Sequence, residues 1–404
     1  MASIELIITS FLVIALVASF ISQRTKTPYT LTLVLLGVLI SVLPGASQVQ
    51  QSALFEQLVG GGLLVGLVLP ALLFESMMSV DETEFRAVLR PSALLATVGV
   101  IIATVVGGLL LWRVAGIPED SAFLFAALVA PTDVATVLEV FKRVTVPSRL
   151  STLLETEAAL NDATGIALFS ALLSAFSVVS APGRALVGAL ASFAYVFGGG
   201  IAVGVAVAYG ARYLLRFAKG EMAFTMLTIA AVYGSYSAAT ALNASGLVAV
   251  AMTGMFFGAF SLRGRYEGGE TVRTFWNVLA FFANTIAFLF IGLSTNLFSL
   301  ASSALPILIA YAVVMAARFS SVMTLLSFKR LSGSSYDLKW MNVATLGGMR
   351  GALSIVLVAS IPATAPGHDL IASMTLGVAL ISILIQGPLL MRYTARNFRE
   401  EARF

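Results

Sequence analysis

Long apolar segments separated by short polar ones follow each other along almost the whole chain. The segments are about 20 residues long and lack the strict alternation of a barrel strand, so they predict membrane-spanning helices. Thirteen such helices are expected, at residues 3–22, 28–44, 55–78, 91–112, 121–141, 150–178, 185–216, 222–242, 245–262, 272–297, 303–328, 338–362 and 369–392. The pattern therefore predicts an all-α polytopic membrane protein in which residues 1–404 form a single unit.

Composition supports this class and excludes several others. Of the 404 residues, 59% are hydrophobic and 11% are charged, whereas a soluble domain has about 25% charged residues. The chain has no cysteine, which excludes disulfides and thiolate metal sites. The net charge is +4, but the basic residues lie in short loops, so we expect the lipid bilayer rather than a nucleic acid as the partner.

The basic residues are distributed unequally between the two sides of the membrane. Of the 24 lysines and arginines, 20 fall in one alternating set of loops and the C-terminal segment, two (Arg113 and Arg184) in the opposite set, and two inside helices. Loops rich in lysine and arginine stay on the cytoplasmic side. We therefore expect an integral, multi-pass protein of the cell membrane with its N-terminus outside. Residues 393–404 would form a short cytoplasmic tail.

The thirteen helices divide naturally into six, one and six. The two repeats would be residues 1–178 and 222–392, joined by a linking helix at 185–216, the longest apolar segment. A single linking helix reverses the direction of the second half, which is how inverted repeats arise in secondary transporters.

The fifth helix of each half contains residues that weaken a helix. These are Ala-Pro-Thr-Asp at 130–133 and Gly-Gly-Met-Arg-Gly at 347–351. Proline and clustered glycines destabilise a helix interior. We therefore expect two crossed discontinuous helices that present half-helix ends to a bound ion near the midplane, with ordinary kinks as the alternative.

Six charged residues are expected to lie inside the membrane. They are Asp133, Glu157, Asp162, Arg318 and Arg350 well inside the hydrocarbon, and Glu75 nearer the cytoplasmic end of the third helix. Four acids against two arginines leave a formal charge of −2 in a medium where charges are costly. Protons, cations or half-helix dipoles must offset this charge. A site where either H⁺ or Na⁺ can do so is what cation/proton exchange requires.

Helical spacing separates the roles of the acids. Glu157 and Asn161 are four residues apart and share a face, whereas Asp162 is turned about 100° away. Glu157 lies roughly 10 Å and Arg318 roughly 15 Å from the cytoplasmic ends of their helices, so the two can form a structural pair. Asp162, roughly 18 Å deep, is then the acid most available to an ion. Gly165 leaves room beside it.

Five motifs, in this order along the chain, resemble those of the monovalent cation:proton antiporters of the NhaP/NHE type. They are LPALLFE (69–75), TD (132–133), ETEAALNDATGI (155–166), AR (317–318) and GGMRGA (347–352). The run with Glu157, Asn161 and Asp162 is fairly specific, whereas an isolated TD or RG pair would be weak. The motifs span residues 69–352, and the thirteen-helix layout extends the likeness to nearly the whole chain.

The resemblance implies a homodimeric exchanger with a dimerisation domain and a mobile core domain, whose crossed helices are 121–141 and 338–362. It assigns cation and proton binding to Asp162, Asn161, Thr132, Asp133 and Glu75, with Asp162, Thr132 and Glu75 as Na⁺ ligands. It assigns Glu157 and Arg318 to a structural ion pair and Arg350 to support of the core. Val134 and Ala158 differ from many relatives, which leaves the number of ligands and the preference among Na⁺, Li⁺ and K⁺ open.

We therefore expect a sodium (or lithium)/proton antiporter that works by alternating access at a site centred on Asp162, with no cofactor and no enzymatic activity. Asparagine rather than aspartate at 161 is similar to the electroneutral branch, which exchanges one cation for one proton. The alternatives are a potassium/proton antiporter on the same scaffold and a sodium-coupled symporter of an organic solute. A membrane sensor with balanced internal charges and a channel fit less well, because the charges are unbalanced and no filter loop is repeated.

Overall fold

The fold is built from helices throughout the described part of the chain. The computed structural model describes residues 4–25, 27–43, 64–79, 82–133, 137, 140–141, 144, 146–178, 182–217, 220–261, 269–293, 297–331, 336–358, 361 and 367–398. Among these residues there is no β-strand. The predicted all-α class is confirmed.

Each of the thirteen predicted helices has a helical counterpart. The first nine elements are α1 (Ile4–Thr25), α2 (Tyr29–Ser41), α3 (a π-helical turn Leu64–Val68, then Leu69–Ser79), α4 (Glu82–Leu94, a π-helical turn Leu95–Gly99, then Val100–Arg113), α5 (Glu119–Val129), α6 (Ser148–Val178), α7 (Pro182–Leu214), α8 (Glu221–Ala241) and α9 (Gly246–Ser261). The others are α10 (Gly269–Leu293), a short helix Leu297–Ser302, α11 (Ala304–Leu331), α12 (Leu338–Leu346), α13 (Ala352–Val358) and α14 (His368–Ile381, a π-helical turn Ser382–Gln386, then Gly387–Asn397). Within the described ranges, seven helices are long and apolar enough by themselves to cross a membrane.

Two predicted boundaries differ from the structure. Helix α4 begins at Glu82 rather than at 91, so its first two turns belong to the helix and not to a loop. The segment is polar on average, but Val88 is buried and packs in the same cluster as Leu150 and Leu153 of α6. Low mean hydropathy therefore concealed an amphipathic helical start.

The end of the chain also differs from the expected tail. Helix α14 continues to Asn397, and Phe398 is buried in the cluster that contains Met341 and Leu390. Residues 393–398 thus pack onto the fold, and residues 399–404 lie outside the described part of the chain.

Glycines allow close packing between α3 and α9 and between α9 and α7. Gly254 and Gly258 of α9 lie against the backbone of α3, where a Cβ atom would come within 2.9 and 2.7 Å of the carbonyl oxygens of Phe74 and Met78. Gly200 of α7 lies equally close to α9, with the carbonyl oxygen of Ser245 at 2.7 Å from such a Cβ. These contacts fix the position of α3, which carries Glu75.

Candidate functional site

The two predicted helix breaks exist and lie against each other. Residues 130–133, the first break, follow α5, and residues 347–351, the second break, separate α12 from α13. The backbone N–H of Asp133 donates to the carbonyl of Met349 at 2.7 Å. A Cβ atom on Gly351 would lie 2.5 Å from the Cγ of Asp133, so only glycine allows this approach. The predicted crossing is confirmed; most of residues 134–141, the second half of the first discontinuous helix, lies outside the described part of the chain.

The C-terminal end of α12 lies at this crossing with all of its last four carbonyls paired. The donors are Gly347 N–H to Val343 (2.6 Å), Arg318 Nε and Nη2 to Ala344 (3.2 and 3.0 Å), Gly348 N–H to Thr345 (3.1 Å) and Gln386 Nε2 to Leu346 (2.7 Å). A helix end leaves four carbonyls without helical partners, and each would be costly to bury unpaired. The end of α12 therefore reaches the second break with no unpaired carbonyl.

Arg350 pairs with backbone carbonyls just after the end of α5. Its Nη1 donates to the carbonyls of Ala130 (3.0 Å) and Pro131 (2.9 Å), and Ser354 Oγ donates to Leu128 (3.0 Å). A cation at the C-terminal end of a helix is stabilised by the helix dipole. The fully buried Arg350 thus supports the core through backbone carbonyls. Its Nε has no partner within the described residues.

Glu157 and Arg318 form a bidentate ion pair inside the protein. Arg318 Nη1 and Nη2 donate to Glu157 Oε1 and Oε2 at 2.6 and 2.7 Å, and the side chains are 4% and 1% exposed. The stem of Arg318 lies on Gly348, where a Cβ atom would come within 2.7 Å of Nε. The structure therefore brings together the two residues that helical depth suggested as partners.

Asn161 connects α6 to the first break. Its Nδ2 donates to Thr132 Oγ1 (2.7 Å) and to Glu157 Oε1 (3.1 Å), and its Oδ1 accepts from the backbone N–H of Thr132 (3.2 Å). Both amide hydrogens of the buried Asn161 are therefore used within the protein. The room expected at Gly165, one turn further along α6, is filled by the ring of Pro131, which leaves no space for a Cβ atom.

Asp162 is in a different situation from its neighbour. It lies about 100° around the helix from Asn161 and is only partly buried. Within the described residues no hydrogen bond to its carboxylate is found, and the charged groups that repel its negative charge are Asp133 and Glu157. The described residues thus leave its carboxylate available to a ligand.

Glu75, on α3, lies at about the same height in the helix bundle as Asp162. It is partly buried, and Met77, two residues on, packs with Leu160, two residues before Asp162. Helix α3 therefore passes α6 at the height of Asp162. In the described part of the chain, no three histidine or acidic side chains converge as a metal site.

Sequence reasoning missed a second group of polar residues. Ser382 and Gln386 are buried in the π-helical turn of α14, and Tyr311 of α11 donates to Gln386 Oε1 at 3.3 Å. The available signal was two polar residues four apart within the apolar segment 369–392. Glu157 and Asn161 have the same spacing in α6.

Comparison with known proteins gives one consistent set of matches. The sequence pattern of the transmembrane sodium/hydrogen exchanger family matches residues 11–396. The Na(+)/H(+) antiporter ApNhaP of Aphanothece halophytica is 31% identical over 385 residues, covering 92% of this chain and 69% of the relative. The Na(+)/H(+) antiporter NhaP of Pseudomonas aeruginosa is 30% identical over 406 residues, covering 94% of both. The structure of the sodium proton antiporter MjNhaP1 from Methanocaldococcus jannaschii superposes with a TM-score of 0.76 at 22% identity, covering 96% of this chain and 97% of that one.

Proposed function

The chain belongs to the sodium/hydrogen exchanger family, and from this premise we propose that it exchanges a monovalent cation for a proton across the membrane. The family resemblance seen in its motifs is thereby confirmed. The observation that carries the proposal is the carboxylate of Asp162, which lies partly exposed beside the crossing, without a hydrogen bond from the described residues.

The distribution of positive charge supports this role for Asp162. Arg318 is neutralised by Glu157, and Arg350 is directed at the carbonyls of Ala130 and Pro131. Neither arginine therefore compensates Asp162. An uncompensated carboxylate inside a membrane costs about 2.5–3.5 kcal/mol on insertion scales. A proton and a cation can each relieve this cost but compete for the same oxygens, which is the basis of exchange.

The cation would be held by Asp162, with Thr132 and Glu75 as further ligands. Thr132 Oγ1 accepts one hydrogen bond from Asn161 and keeps a second lone pair for an ion. Asp133 adds negative charge at the crossing. Asn161, whose amide hydrogens are both used, would contribute to cation and proton binding by positioning Thr132. Na⁺ or Li⁺ is the proposed transported ion, with K⁺ as the alternative.

A single exchangeable carboxylate supports electroneutral exchange of one cation for one proton by alternating access. We also propose the orientation given by the distribution of lysine and arginine, with the N-terminus outside and the C-terminus in the cytoplasm. The functional unit would be a homodimer. The domain division into residues 1–178, 185–216 and 222–392 remains a prediction.

The experiment that tests this proposal is reconstitution into liposomes loaded with a pH dye, followed by addition of Na⁺, Li⁺ or K⁺ in turn. Addition of the transported cation should move protons in the opposite direction. Asp162→Asn should abolish this movement while the protein still folds and inserts. Asp369→Asn, which changes a fully exposed acid, should behave as the unaltered protein. Full exchange by well-folded Asp162→Asn would refute the site. Proton movement in the same direction as the cation would indicate the symporter.

A further inference from the structure

The π-helical turn Ser382–Gln386 interrupts α14 at a buried position. Ser382 and Gln386 are 0% and 1% exposed, within a helix that is otherwise apolar at this level. Burying an amide side chain without hydrogen bonds is costly, and π-helical turns occur frequently at functional sites. The two side chains therefore require a physical reason for their position.

Both side chains are used to hold the second break. Gln386 Nε2 donates to the carbonyl of Leu346 (2.7 Å), the last residue of α12. Ser382 Oγ donates to Gln386 Oε1 (3.1 Å) and accepts from the backbone N–H of Arg350 (2.9 Å). One π-helical turn thus fixes the backbone at the end of α12 and within the second break.

The first half of the chain contains a matching arrangement. There, the backbone N–H of Thr132 in the first break donates to Asn161 Oδ1 on α6, the helix that follows that break. In the second half, the N–H of Arg350 donates to Ser382 on α14, which follows the second break after the half-helix α13. The halves differ at the next position, which is Asp162 after Asn161 but the buried Ile383 after Ser382. The second arrangement therefore holds backbone without adding charge.

A displacement of the second break would be transmitted directly to the first. Met349 accepts from the N–H of Asp133 (2.7 Å), and Arg350 Nη1 holds the carbonyls of Ala130 and Pro131. The ring of Pro131 lies on Gly165, three residues beyond Asp162 on α6. The contacts thus run without interruption from α14 through both breaks to the helix of Asp162.

We propose that Gln386, together with Ser382, is a positioning residue for cation binding at Asp162. It fixes Leu346 and Arg350, and thereby sets the first break beside the carboxylate. The inference rests on the proposed function. It means that the uncharged residues holding the second break contribute to the affinity for the cation.

The test compares Gln386→Met, which keeps the side-chain length but removes both hydrogen-bonding groups, with Ile385→Met, a change to a neighbouring side chain that is 53% exposed. In reconstituted protein, Gln386→Met should raise the cation concentration for half-maximal exchange roughly fivefold, the factor equivalent to one hydrogen bond. The pH profile should shift with it. Ile385→Met should change neither. Ser382→Ala, a smaller change, should shift the same two quantities in the same direction and replaces Gln386→Met if that variant does not fold.

Hydrogen exchange measured by mass spectrometry supplies a readout that does not depend on transport. Gln386→Met should speed amide exchange at Arg350 in the second break and at Asp133 in the first. Faster exchange at the second break alone, or unchanged cation affinity and pH profile in folded protein, would overturn the inference. If the unaltered protein moves no protons with any cation, the proposed function fails. Amide exchange at Asp133 then shows by itself whether Gln386 positions the first break.

Discussion

Breaking the ion pair between Glu157 and Arg318 should destabilise the protein more than it disturbs the proposed cation site. Both side chains are buried, and two charged hydrogen bonds of 2.6 and 2.7 Å join them. Removing one partner of a buried pair costs about 3–5 kcal/mol, because the other charge is left uncompensated. Glu157→Gln and Arg318→Gln should therefore each lower the melting temperature in detergent.

The structure also predicts which variant is the less stable. Arg318 donates to the carbonyl of Ala344 through Nε and Nη2, so its replacement removes a helix cap together with the ion pair. Glu157→Gln keeps an oxygen that can accept from Asn161, as Glu157 Oε1 does at 3.1 Å. Arg318→Gln should therefore cost about 1 kcal/mol more than Glu157→Gln, the value of one hydrogen bond.

The assay is thermal unfolding in detergent, followed by exchange measurements on the surviving folded protein. The double variant should regain part of the lost stability, because no charge is then left without a partner. Arg392→Gln, which removes an exposed arginine, serves as the control. Residual exchange should keep its apparent cation affinity. If Arg318→Gln leaves the melting temperature unchanged and shifts the pH profile instead, the arginine acts on Asp162 directly and the pairing argument is wrong.

Three further predictions concern the proposed cation site and the packing around it. Thr132→Ala should reduce the exchange rate less than Asp162→Asn does, because backbone carbonyls at the first break can still supply oxygens to the cation. An equal loss of exchange in both variants would contradict this. A membrane potential imposed with K⁺ and valinomycin should leave the exchange rate unchanged, and clear voltage dependence would indicate more than one proton per cation. Gly165→Ala should destabilise the protein by about 1–3 kcal/mol through overlap with Pro131, measured as a lower melting temperature against Gly210→Ala on α7, where an added Cβ atom meets nothing within 4 Å.

The sequence predicted the parts of this site that depend on a single helix. Helical spacing separated Glu157 and Asn161 from Asp162, and depth below the membrane surface matched Glu157 with Arg318. Proline and glycine marked both breaks. Such inferences are possible because the period of a helix and its rise per residue are known before any tertiary contact is.

The partners of Arg350 could not be predicted in this way. Counting charges treats an intramembrane arginine as the partner of an acid, whereas Arg350 caps the carbonyls of Ala130 and Pro131. Every residue carries a carbonyl, so no sequence pattern marks the ones that a crossing will expose. Gln386 and Ser382 were missed for the same reason, because their main partners are backbone groups of another helix.

The complete capping of α12 has a consequence for the rate of the transport cycle. All four of its terminal carbonyls are paired with protein donors, so no bound ion is needed to hold the second break in shape. A preorganised site loses little free energy to rearrangement when its ligand enters or leaves. The empty, cation-loaded and protonated forms would then share one backbone geometry at this break. Ligand exchange itself would add only a small activation barrier, leaving the conformational change between the two sides of the membrane to limit turnover.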